Sequence, residues 1–85
     1  MRKVNINNKE EIKRFKSEIS DWLFLEDYNP IPYRRDDSTE KGANYTLFIP
    51  RRWKPFITPE RLRQEMRNEV DADKVTIEYI DFVRE

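Results

Sequence analysis

The sequence predicts an α+β domain: a small antiparallel or mixed sheet with two helices on one face. Three observations predict it. Val4 and Ile6, and later Val75, Ile77 and Tyr79, alternate with polar neighbours at the two-residue period of a half-buried strand. Ile12, Phe15, Ile19, Trp22 and Leu23 recur at the offsets of an amphipathic helix. Asn44-Tyr45-Thr46-Leu47-Phe48-Ile49 concentrates the aromatic and branched side chains that suit a pleated surface. Pro50 ends that run by removing a ladder donor.

The elements follow in order. A short strand at 3–6 leads to Asn8, a helix cap whose third helical position is Glu11, the spacing of a capping box. The apolar stripe predicts a helix over 9–25, with Lys13, Arg14, Lys16 and Glu18 on its opposite face. Phe24 and Leu25 fall off the stripe. Either later chain covers them, or they form the kind of exposed apolar patch that meets a partner. Asn29-Pro30-Ile31-Pro32 stops the helix. Residues 31–35 read as a weak strand, pairing with 45–49 across a polar tip, Asp36 to Gly42.

After Pro50 comes a basic-aromatic loop, Arg51-Arg52-Trp53-Lys54-Pro55. A helix over 59–70 then opens with Thr58 as cap, Pro59 at the first position and Glu60 at the positive helix end. Ile57 and Leu62 are spaced as a hydrophobic staple. Leu62, Met66 and Val70 form the helix's apolar stripe. Asp71-Ala72-Asp73 breaks the pattern and the last strand follows. Its phase changes at Tyr79-Ile80, which a bulge or a strand end buried on both faces would produce. The order β-α-β-β-α-β is that of ferredoxin-like folds, with strands 3–6 and 44–49 central. Without the strand at 31–35 the order reduces to β-α-β-α-β.

Composition narrows the function. Eighty-five residues make one domain with a thin stability margin. The chain has no Cys and no His. It therefore lacks disulfides, the usual zinc ligands and the commonest general base, and the missing disulfides point to a cytoplasmic location. The longest apolar run, Trp22 to Leu25, is too short for a membrane span, and no signal-like apolar segment precedes it. Lys and Arg number 17, as do Asp and Glu, so the basic excess of a general nucleic-acid binder is missing. Ser17, Ser20 and Ser38 have no His to activate them, and one Gly cannot make a phosphate loop. Asp71 and Asp73 lack the loop and distal Glu of a calcium site and read as a helix stop. No enzyme activity, metal or cofactor is expected.

Lys41-Gly42-Ala43-Asn44-Tyr45-Thr46-Leu47-Phe48 resembles the third-strand signature of the RNA recognition motif at Lys41, Gly42, Tyr45 and Phe48. The stretch Val4 to Asn8 is similar to its first-strand partner in the apolar positions and final Asn. The resemblance covers under a third of the chain. Ala43 and Asn5 stand where that family usually places base-stacking rings, and the family needs Asn44 and Thr46 inward where Tyr45, Leu47 and Ile49 make the more apolar side. The likeness is read as coincidence on a shared scaffold.

The leading expectation is a protein-binding or regulatory module that occupies a surface of a larger protein partner. Compact, Cys-free, charge-rich viral proteins of the phage and mobile-element kind, which inhibit host enzymes, share this composition. Arg51, Arg52, Trp53 and Lys54 are its candidate contacts. Guanidinium groups grip carboxylates in a fork, and an indole fills a partner's pocket. Arg63 and Arg67 extend the positive field. The competing reading folds Trp53 and Phe56 back as a lid over the core. The alternative function is RNA or single-stranded DNA binding through Arg34, Arg35, Lys41, Tyr45 and the 51–54 loop.

Overall fold

The computed structural model describes residues 1–85. Strand β4 (Gly42–Pro50) is covered on both faces: Ala43, Tyr45, Leu47 and Ile49 are buried in one hydrophobic cluster and Phe48 in another. β3 (Ile31–Thr39) pairs with it antiparallel and β5 (Ala72–Val83) parallel. β1 (Arg2–Asn5) lies parallel on the outer side of β5, and β2 (Asp21–Leu23) antiparallel on the outer side of β3. The mixed five-stranded sheet has the order β1-β5-β4-β3-β2.

The α+β class and the strand at 31–35 agree with the sequence reading, but the ferredoxin-like order does not. β1 is an edge strand because only Val4 of its four residues is buried. A central strand needs cover on both sides, which β4 and the end of β5 have.

The helices also lie on opposite faces rather than one. Leu62 and Met66 of α2 (Pro59–Glu69) join Tyr45, Leu47, Ile49 and Val75 on the first face. Phe15 of α1 (Lys9–Ser17) joins Val4, Phe48 and Ile80 on the second, its ring meeting Phe48 edge-on at 5.3 Å. Phe48, Ile80 and Phe82 make the second face apolar, and a helix is needed to cover it. The phase change in β5 follows from this. Val75, Ile77 and Tyr79 face α2, Ile80 and Phe82 face α1, and the register with β4 runs unbroken from Tyr45↔Val75 to Pro50↔Ile80.

The first helix ends at Ser17 rather than residue 25. Ser17 Oγ donates to the Arg14 carbonyl at 2.6 Å, and the side chain of Glu18 turns to the sheet. There it accepts from Arg2 and, at 3.1 Å, from Arg34. The hydrogen bond from Arg2 holds the Glu18 carboxyl below its usual range, with the charges of Arg2 and Arg34 adding to the effect. Ser20 then docks on β3: its N–H donates to the Tyr33 carbonyl at 2.8 Å, and its Oγ accepts from the Arg35 N–H at 2.9 Å. Trp22 and Leu23, consecutive on a strand, point to opposite sides: Leu23 into the first core, Trp22 toward solvent.

Local chemistry fixes the remaining ends. Asn8 Oδ1 accepts from the Glu10 and Glu11 N–H groups, as its spacing predicts. Thr58 stands at the N-cap of α2 with extended backbone, and Pro59 is at N1, yet the Thr58 side chain makes no capping bond. Ile57 and Leu62 share the main core. β3 and β4 run on into the polar tip, leaving only Glu40 and Lys41 as the turn. Asp36 accepts from Thr46 Oγ1 and Asp37 from Asn44 Nδ2, both at 2.7 Å. Gly42 has φ +133°, and a Cβ there would come within 2.7 Å of the Asp71 carbonyl oxygen. No helix is long and apolar enough to cross a membrane.

Candidate functional site

Parallel pairing gathers the C-terminal ends of β1, β4 and β5 at one end of the sheet. The antiparallel strands bring the end of β2 and the start of β3 to the same place. Two connections cross this end. One is residues 24–30, between β2 and β3. The other is Arg51–Phe56, which forms a 3₁₀ helix rather than the irregular loop its sequence suggests. Pro50 and Pro55 restrict the backbone there.

The two connections meet through aromatic rings. Trp53 stacks on Tyr28 with centroids 6.0 Å apart and planes at 22°. Tyr28 Oη donates to the Phe56 carbonyl at 3.2 Å. Trp53 is mostly buried and packs on the main core, so the lid reading holds for its ring. It fails for Phe56, which is 78% exposed; Phe24 on the other connection is 70% exposed and Trp22 on β2 44%. Three shallow depressions surround this group. Glu26, Tyr28, Trp53 and Phe56 border one of about 420 Å³. Trp22, Pro32, Phe48 and Trp53 border another of about 190 Å³. Arg51, Arg52, Pro55 and Asp81 border the third, about 330 Å³.

The cations at this end differ in how far they are engaged. Arg51 faces Asp81 at 3.6 Å, and Lys54 Nζ lies 5.1 Å from the centre of the Tyr79 ring. Arg61 pairs with Asp27 at 2.7 Å and lies over the Tyr28 ring. Arg52 is exposed and makes no ion pair.

Of the residues expected at a partner interface, Arg51, Arg52, Trp53 and Lys54 therefore sit together. Arg63 and Arg67 do not join them. Arg63 Nε donates to the Val75 carbonyl at 3.0 Å and its guanidinium pairs with Glu60, so it ties α2 to the sheet. Arg67 is exposed in the last turn of α2, remote from the aromatic end.

The residues of the nucleic-acid alternative are divided between faces. Arg34 lies over the Phe48 ring on the α1 side, bonded to Glu18 and to Asp36. Tyr45 is buried on the α2 side, edge-on to Tyr33 at 5.5 Å. Arg35 is exposed and donates to Ser38 Oγ at 2.8 Å, and Lys41 occupies the hairpin turn.

Sequence reasoning overlooked Tyr28, the platform under Trp53, and Trp22, which it assigned to a helical stripe. The off-stripe position of Phe24 is the signal that marks this segment as unusual. No family model, no curated protein and no solved structure matches the chain.

Proposed function

We propose that this chain is a small non-enzymatic protein-binding module that occupies a surface of a larger partner through the aromatic end of its sheet. One observation carries the reading: Phe24 and Phe56, the two most exposed aromatic side chains, lie on the two connections that meet in the Trp53–Tyr28 stack, with the unpaired Arg52 next to Trp53. Large exposed rings cost free energy in water, and a small domain needs all the burial it can obtain. Aromatic residues and arginine dominate the energetics of protein interfaces. The 3₁₀ helix and its prolines leave little backbone entropy to lose on docking. Occupying a partner's surface in this way is how a small inhibitor acts.

The test is affinity capture from nuclease-treated lysate with the wild-type chain and a Phe24→Ala/Phe56→Ala variant. The expected result is a specific protein retained by the wild type and lost by the variant, with both chains melting alike. Equal retention by the two would remove this end from the interface. Retention that disappears on nuclease treatment and weakens steeply with salt would favour the nucleic-acid alternative.

A further inference from the structure

The depression under Trp22 and the depression beside Arg52 share two lining residues, Pro50 and Phe82. They are two ends of one groove, and their chemistry differs. At the first end none of the lining residues is charged, and the walls are aromatic rings and prolines. Phe82 is fixed there by an edge-on contact with Phe15 at 5.7 Å. At the second end the charges are Arg51, Arg52 and Asp81. Asp81 faces Arg51, which leaves the charge of Arg52 unmet.

We infer that this groove takes a segment of the partner protein that carries an aromatic or aliphatic side chain next to a carboxylate. The inference rests on the protein-binding reading above and names the chemistry that this end would select. The apolar side chain enters between Trp22, Pro32 and Phe82, above the buried Phe48 ring, where it displaces water from rings and prolines. The neighbouring carboxylate reaches Arg52, whose planar fork can donate two parallel hydrogen bonds to it. A basic side chain at that position would meet the unpaired charge of Arg52, with Asp81 already engaged by Arg51, and be repelled.

Blocked dipeptides test this on the isolated protein by NMR titration. The probes are N-acetyl-phenylalanyl-aspartyl amide and its asparaginyl and lysyl counterparts. The aspartyl probe should shift the indole N–H signals of Trp22 and Trp53 saturably. It should bind up to about fivefold more tightly than the asparaginyl probe, the upper limit of what an exposed ion pair supplies, and the lysyl probe should bind most weakly. Arg52→Gln should abolish the preference and leave the melting temperature unchanged. Equal affinity for the three probes, or no saturable shift at either indole, would overturn the inference. That failure is separable from failure of the wider reading. A groove that ignores the probes leaves capture through Phe24 and Phe56 standing. Probe binding with no partner captured removes the wider reading instead.

Discussion

Trp53 is the residue whose substitution reads both the packing and the surface. Its ring is mostly buried, set against the main core and stacked on Tyr28. Removing a fully buried Trp costs about 3–5 kcal/mol, and this ring is well over half buried, so its burial corresponds to about 2–4 kcal/mol. Loss of the stack adds about 0.5–1.5 kcal/mol. Trp53→Ala should therefore destabilise the fold by about 2.5–5 kcal/mol, a large fraction of the total stability of a small domain. Each kcal/mol moves the midpoint by about 4–8 °C at this size, so the thermal shift is large and easily read.

Urea melts of Trp53→Ala, Tyr28→Ala and the double variant form a cycle that isolates the stack, with an expected coupling of about 0.5–1.5 kcal/mol. A Trp53→Ala protein that melts like the wild type would refute the packing assignment and leave the indole free. A coupling of zero with destabilised single variants would keep the burial and remove the stack. Partner binding by Trp53→Ala must be corrected for the unfolded fraction. Phe24 and Phe56, far more exposed, are the cleaner probes of the interface.

The two helix caps should behave differently. Asn8→Ala should cost about 0.5–2 kcal/mol, whereas Thr58→Ala should change the urea midpoint little because its side chain makes no capping bond. Equal losses would place a capping bond at Thr58. Gly42→Ala should destabilise by at least about 1 kcal/mol, since φ +133° and the nearby Asp71 carbonyl both oppose a Cβ; a neutral substitution would contradict that backbone conformation. Glu18 has a folded pKa below its ordinary 4.5, so its stabilisation is present above that value and is lost as pH falls through the lower folded one. The stability advantage of the wild type over Glu18→Gln should shrink through that acid window, and an advantage that grows there would reverse the sign assigned to the Arg2–Glu18 pair.

Much of the fold was legible where one local rule acts alone. Asn8 caps, Pro59 opens a helix, and Tyr45, Leu47 and Ile49 face one core. The hairpin was visible in outline, although Thr46 and Asn44 prolong its pairing by holding Asp36 and Asp37. Helix sidedness was less legible because Phe48 and Ile80 lie out of phase with the more apolar face, and each was weighed within its own strand. Together with Val4 they make a second core. For the site, the 51–54 cations and Trp53 could be found by composition. Tyr28 could not, because only the fold brings it to the Trp53 ring.

The expected helix over 9–25 and the groove it failed to foresee have one cause. An apolar stripe through Trp22 and Leu23 fits helical spacing, but adjacent residues on a strand also serve two faces. The chain leaves helical geometry just after Glu18, whose carboxylate is held by Arg2 from β1 and Arg34 from β3. Those arginines dock the end of α1 on the sheet, and after Glu18 the chain turns so that Ser20 joins the β3 backbone. Leu23 then fills the first core, and Trp22 is left over the second face. The short α1 covers Val4, Phe48 and Ile80 but leaves Phe82 only partly covered. A helix continued to residue 25 would carry Trp22 away from Pro32, its partner across the β2–β3 pair. The open apolar end of the groove therefore depends on α1 stopping short and on the β2–β3 pairing that follows it.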